Sequence, residues 1–389
     1  MKRLLFSIFC ILFCDVCNSA QIVNVEYIHK LIEQEHGITV PYNNELTNPH
    51  VAANMKYLLT TIDAANSILN GEQITDYGNG EYATTMAADT DAALEMVRDH
   101  VRNYKFFATT TSDTTSFSFT ISASGVFHID WGDGTRESYR KTNTATTTYS
   151  HEYATAGEYV IKIGGYATGY TASGWFGSSI SFYQNINLAK IDGSLGAIFP
   201  TIKNADSTLN QPQFMRLFSG CTNLSGTIPY DLFKNIYGQP KGNMFESIFA
   251  NTAITGKIPS DLFAGLNGTS TANLFNATFL NCKYLEGPIP AGMFGKLYGS
   301  PAGYFFRQTF NGCSNLSGSI PENLFGDISG EPQGSGFFSY TFRGCKKLTG
   351  ESAKINGKYL YEIWPEIETR MYNGATGLTD YADIPSNWK

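Results

Sequence analysis

The sequence predicts a multidomain α+β chain, in which a small helical N-terminal region precedes a β-sandwich and then a solenoid of stacked repeats. Three observations predict it. Apolar residues recur at helical spacing up to about residue 105, they alternate with polar ones from residue 106 to 165, and one phrase recurs beyond residue 213.

Residues 1–20 have the layout of a secretory signal peptide. Met1-Lys2-Arg3 is basic, residues 4–13 are apolar, and Asn18-Ser19-Ala20 precede Gln21. The apolar run is too short to span a bilayer stably, and no later stretch is apolar enough to do so. The chain is therefore expected to be secreted or at the cell surface, a retained N-terminal anchor being the alternative. Residues 21–105 read as short amphipathic helices. Val25, Ile28 and Ile32 form one stripe; Thr47-Asn48-Pro49 opens a second helix carrying Met55, Leu58, Leu59, Ile62 and Leu69; Leu94, Val97, Val101 and Tyr104 mark a third, from about Asp89 to Tyr104.

From residue 106 the period changes to two. Phe117, Phe119 and Ile121, then Phe127, Ile129 and Trp131, then Tyr159, Ile161 and Ile163 alternate with polar neighbours as half-buried strands do. Trp131-Gly132-Asp133-Gly134-Thr135 supplies a tight turn, since Gly and Asp tolerate the positive φ it requires. His151, Tyr153, Gly157 and Tyr159 follow. The set W-G-D-G-T then H-x-Y-x-x-x-G-x-Y-x-I-x-I resembles the polycystic kidney disease (PKD) domain, an immunoglobulin-like β-sandwich common in secreted proteins, over residues 106–165. The resemblance implies that these residues are structural, with Asp133 fixing the hairpin and His151 and Tyr153 packing on the strand that follows. His128 with Asp130 is the one residual acid–base or cation candidate, and it reads as a solvated strand face.

Residues 166–213 read as a junction and N-terminal cap. Ile186, Leu188, Ile191 and Ile198-Phe199-Pro200 look like an incomplete first rung. Residues 214–350 carry the repeats. The phrase F-x-x-C-x-x-L-x-G-x-I-P-x-x-L-F begins at Phe218, Phe249, Phe279, Phe310 and Phe342, with a frayed copy at Tyr372, at intervals of 31, 30, 31, 32 and 30 residues. Such a unit cannot bury its own apolar face, so the rungs should stack, burying Phe275, Phe306, Leu285, Leu316, Ile289 and Ile320. A second phenylalanine four residues earlier suggests a helical turn. Leu224-x-Gly226-x-Ile228 suggests a short strand ended by Pro229. Residues 351–389, with a hairpin signal at Ile355-Asn356-Gly357, read as the C-terminal cap.

Cys221, Cys282, Cys313 and Cys345 share one slot, filled by Thr252 in the second copy. This reads as an inward ladder of free thiols, with a Cys282–Cys313 or Cys313–Cys345 bridge as the alternative. The units resemble the leucine-rich repeats of BspA-like bacterial surface proteins. Asn223-Leu224-Ser225-Gly226-Thr227-Ile228-Pro229 also looks like plant-type repeats, but the period here is longer and the plant strand is missing.

That resemblance implies a non-enzymatic adhesion protein binding an extracellular protein or glycan. The acid excess, 34 Asp and Glu against 27 Lys and Arg for a net charge of −7, argues against nucleic acid as a partner. No catalytic or dinucleotide motif stands out, and all six histidines lie at or before His151, so no catalytic, metal or cofactor residue is expected. Candidate ligand contacts are the solvent-facing strand positions Ser225, Thr227, Lys257, Glu286, Ser317 and Ser319, an inert solvated face being the alternative. Tyr237, Tyr298 and Trp175 are further aromatic candidates for stacking on sugars. A secreted polysaccharide- or peptide-degrading enzyme and a structural envelope component are the competing functional readings.

Overall fold

The computed structural model describes residues 104–171, 177–328, 330–367 and 369–389. The chain divides into two compact units, Met1–Asn103 and Tyr104–Lys389, of which the second is described. The three helices expected in the N-terminal region, and Trp175, lie outside the described residues, except for Tyr104, expected at the end of the third helix, which is not helical. Among the described residues the α+β expectation is overturned. They are nearly all β, with one four-residue helix, α1 (Leu360–Ile363), and without a continuous solenoid sheet.

Eight strands open the described unit: β1 (Phe106–Thr110), β2 (Thr114–Ile121), β3 (Ala123–Asp130), β4 (Arg136–Lys141), β5 (Thr147–Gly157), β6 (Val160–Tyr170), β7 (Ile180–Ser181) and β8 (Leu188–Gly193). They form two antiparallel sheets, ordered β4-β3-β6-β1-β8 and β5-β2-β7. The two-residue alternation has its cause in the packing between these sheets. Phe119 reaches Trp131, Tyr149 and Phe182 at ring-centroid distances of 5.9, 5.8 and 5.3 Å. Ser118 on the opposite side of β2 is exposed.

The segment after β6 belongs to both halves of the unit. β8 pairs with β1 and β7 with β2, adding an edge strand to each sheet. The same stretch accepts or donates bonds to the first repeat: the Phe182 amide donates to Leu217 O at 2.8 Å, Ser225 N to Ala189 O at 2.8 Å and Gly196 N to Leu232 O at 2.9 Å. Phe106, Phe182 and Phe218 stack in sequence, with centroids 5.7 Å and 5.6 Å apart, so one core runs from sandwich to repeats. Ile186 is a correction, for it is 59% exposed and contributes only its carbonyl, to the Asn223 side chain at 2.8 Å. A short hairpin, β9 (Ile202–Lys203) with β10 (Leu209–Asn210), follows.

The repeats do stack, but not through helices. Four-residue phenylalanine spacing here comes from consecutive β-turns in which a left-handed residue recurs every fourth position, as at Asn243, Ser247 and Asn251 with φ of 61°, 55° and 60°. Such residues break an α-helix, which needs right-handed dihedrals throughout. Local bonds span three residues, Glu246 N to Asn243 O at 3.2 Å and Ala250 N to Ser247 O at 3.3 Å. The alternate amides point to the next rung, with Phe245, Ser247 and Phe249 donating to Leu274, Asn276 and Thr278 at 3.1, 2.8 and 2.9 Å. Two phenylalanine columns result. In one, Phe218, Phe249, Phe279, Phe310 and Phe342 stack at 5.6, 5.7, 5.6 and 5.6 Å, and Tyr372 continues it at 5.9 Å. Phe275, Phe306, Leu285, Leu316, Ile289 and Ile320 are all buried.

Two further strips of parallel pairing run along the stack. β11 (Asn267–Thr269), β12 (Lys296–Gly299) and β14 (Asp327–Ile328) make a three-stranded parallel sheet. The expected Leu-x-Gly-x-Ile strand shrinks to single bridges, Gly256 with Leu285 and Gly287 with Leu316, and to one two-residue pair, β13 (Gly318–Ser319) with β15 (Leu348–Thr349). Glycine is the reason, since Gly256 and Gly287 take φ of 74° and 77°, outside the extended region. The end is covered by the hairpin β16 (Lys354–Ile355) with β17 (Lys358–Tyr359), by α1 and by the fully buried Trp388.

Candidate binding surface

The turn after β3 brings the sandwich motif residues to one place. Trp131 is buried and its indole N–H donates to Glu137 Oε2 at 2.7 Å, while its ring stacks on His151 with centroids 5.2 Å apart. His151 Nε2 lies 2.7 Å from Asp133 Oδ2, and Asp133 Oδ1 accepts the Thr135 amide at 2.9 Å. Tyr153 donates its hydroxyl to Trp131 O at 2.8 Å and stacks on Tyr159 at 3.7 Å. Partial burial opposes ionisation of Asp133, but the Thr135 amide and hydroxyl and the His151 ring outweigh it and hold the carboxyl below its usual range. Gly132 sits with φ of 87° against the backbone of Val160, and Gly134 with φ of 97°, as the tight turn needs. Gly157 ends β5 beneath the Tyr159 ring.

His128 and Asp130 are not a solvated face. They are 1% and 3% exposed. His128 Nδ1 is bonded to Ser138 Oγ at 2.9 Å, and Asp130 holds Arg136 Nε at 3.1 Å, Lys162 Nζ at 3.3 Å and the Gly132 amide at 2.9 Å. A buried carboxylate with these partners anchors the turn from below.

The cysteine ladder is one of free, buried thiols. Each donates to the phenylalanine carbonyl of the preceding rung: Cys221 to Phe182, Cys282 to Phe249 and Cys313 to Phe279 at 3.0 Å, Cys345 to Phe310 at 3.1 Å. Burial pushes the thiols of Cys221, Cys282 and Cys345 up to about 12 and that of Cys313 well above its ordinary value. They are packing groups, poorly suited to nucleophilic work.

The six expected ligand contacts lie along the glycine bridges, and several are engaged there. A Cβ on Gly256 would stand 2.9 Å from Thr227 Cγ2, one on Gly287 3.2 Å from Lys257 Cγ, and one on Gly350 3.0 Å from Ser319 Cβ. Thr227, Lys257 and Ser319 thus fold over the bare glycine of the next rung. Ser225 is half-buried with its hydroxyl 3.4 Å from Ala189 O and Ser317 is half-buried, while Thr227, Lys257, Glu286 and Ser319 are exposed.

A second face of the stack is exposed as well. On β11, β12 and β14 the residues Gly268, Leu297 and Ile328 point inward, leaving Asn267, Thr269, Lys296, Tyr298 and Asp327 outward. Tyr298 is 49% exposed and Tyr237, beside the bridge of Gly238 with Leu266, 43%. Sequence reasoning picked out the two tyrosines but missed the sheet that carries Tyr298 and the bridge beside Tyr237. The available signal was the recurring apolar-x-Gly step of Ile236-Tyr237-Gly238, Leu266-Asn267-Gly268 and Leu297-Tyr298-Gly299. No family model matches the chain, and no curated protein and no solved structure matches it.

Proposed function

We propose that this is an extracellular binding or adhesion protein that presents the outer surface of its repeat stack to a protein or glycan ligand. The observation that carries the reading is the set of large rings left outside an otherwise filled stack. Tyr230, Tyr237, Tyr284, Tyr298 and Tyr304 are all exposed on the repeats, while the inward slots of the rungs are occupied by buried Phe, Leu, Ile and Cys, with Thr252 in the cysteine slot of the second. Amphipathic rings on a rigid scaffold contribute contact area at low entropic cost. The leader-like residues 1–20 and the resemblance to BspA-like repeats behind a PKD-like sandwich support export and adhesion. Arrays of glycans and matrix proteins probed with the full chain test the proposal. Saturable binding to one or more of them is expected; turnover of a polysaccharide or peptide, abolished by a single carboxylate substitution, overturns it in favour of a hydrolase.

A further inference from the structure

We propose that the outward face of the β11–β12–β14 sheet is a site for a neutral polysaccharide chain, with Tyr237 and Tyr298 as its aromatic platforms. This rests on the binding function proposed above and names the ligand class and the face that takes it.

The register sets out the face. Asn267 lies opposite Lys296, and Tyr298 lies between Thr269 and Asp327. Tyr237 precedes Gly238, whose partner Leu266 lies three residues before Thr269. The two rings are therefore two strands apart and four residues along, roughly 16 Å from strand spacing and rise, a distance that several linked sugar rings bridge. Between them Gln239 lies over Gly268 and bonds to Thr269. Among the described residues the side chains of Tyr237, Asn267, Lys296 and Tyr298 make no hydrogen bond, although an adjacent side chain, Gln239, is fully engaged. Gln239 accepts the Thr269 amide at 2.9 Å and donates to Thr269 O at 3.0 Å.

The chemistry of this face selects its occupant. The backbone groups of β12 are paired on both sides, so an extended peptide cannot add to that strand and recognition falls to side chains. The ring faces of tyrosine are electron-rich and attract the polarised C–H groups of a sugar, while its edge and the Asn267 amide and Lys296 ammonium meet hydroxyls. Lys296 and Asp327 carry opposite charges on the same face, so there is no net field to hold an anionic polymer. Asp327 is moored by the Asn356 side chain at 3.1 Å.

Affinity electrophoresis of the full chain through gels holding β-glucan, mannan, xylan or dextran, with heparin as the anionic control, tests the site. Retardation by at least one neutral polysaccharide and not by heparin is expected. Tyr298→Ala and Tyr237→Ala should each weaken it about tenfold and Asn267→Ala severalfold, whereas Tyr298→Phe, Thr227→Ala and Ser319→Ala should stay near wild type. Retardation by heparin alone, by no neutral polysaccharide, or undiminished in both tyrosine variants with native melting curves, overturns the proposal. If a matrix protein binds while neutral polysaccharides do not, this site falls and the broader binding function stands; if nothing binds, both fall.

Discussion

The sandwich and the repeat stack are both held by ring-on-ring contacts, yet a motif has a different meaning in each. In the sandwich Trp131, Asp133, His151, Tyr153 and Tyr159 converge on one cluster around the turn. In the stack one slot recurs, and Phe218, Phe249, Phe279, Phe310 and Phe342 form a line along which each ring touches its neighbour in the rungs before and after. A sandwich motif marks a place; a repeat motif marks a direction. Damage in the first should stay local to the turn, whereas damage in the second removes support from rungs on both sides.

The largest expected effect is therefore in the middle of a column. Phe275 touches Phe245, Phe263, Phe294 and Phe306, so Phe275→Ala should cost about 3 to 5 kcal/mol in denaturant unfolding. Leu316→Ala, buried between rungs, should cost about 2 to 5 kcal/mol in the same assay. Wild-type-like midpoints in both would mean that the rungs are not mutually supporting.

A smaller loss is expected at the bridges. Gly256→Ala forces a Cβ into a left-handed backbone and to 2.9 Å from Thr227 Cγ2, and should cost about 1 to 3 kcal/mol, read as a lowered melting temperature. Adding Thr227→Gly should recover the clash but not the backbone strain, so partial rescue separates the two causes. Cys313→Ser keeps a donor for Phe279 O and should cost only about 1 kcal/mol. Peptide mapping after alkylation should find Cys221, Cys282, Cys313 and Cys345 unmodified in the native protein and all four modified once it is denatured.

The smallest effect belongs to the sandwich turn. The Asp133 carboxyl is held below its usual range in the folded state, so its contribution to stability is present above the unfolded value of about 4 and is lost as pH falls through the folded value. The stability difference between wild type and Asp133→Asn should therefore shrink as pH falls below about 4. A difference that stays undiminished at the lowest pH at which both proteins fold would contradict the hydrogen bonds that hold the Asp133 carboxylate.

The alternating strands and the inward slots of the repeat were legible because burial on one face writes its period directly into the residues. The turn ribbon was not. A β-turn chain with a left-handed residue every fourth position has nearly the period of a helix, so Phe245 and Phe249 carry the same signature in either backbone. Asn243, Asn251, Asn273 and Asn281 were the available clue, since asparagine tolerates that conformation best after glycine. Leu-x-Gly-x-Ile read as a strand because alternation does not reveal φ, and the glycine within it is what lets Thr227 or Lys257 lie over the next rung. The six residues chosen as ligand contacts lie on that strip, with Thr227, Lys257, Glu286 and Ser319 exposed and Ser225 and Ser317 half-buried. The burial of His128 and Asp130 was illegible because a polar strand position looks the same whether water or a neighbouring Ser138 satisfies it.

The central claim is that one core joins the two regions through Phe106, Phe182 and Phe218, so that they unfold together. Hydrogen exchange of Phe275→Ala, followed separately in peptides from β2 and β3 and in peptides from the repeats, tests it most directly. The account predicts that protection against global opening falls by the same amount in both sets. Undiminished protection in the sandwich peptides, with loss confined to the repeats, would contradict it.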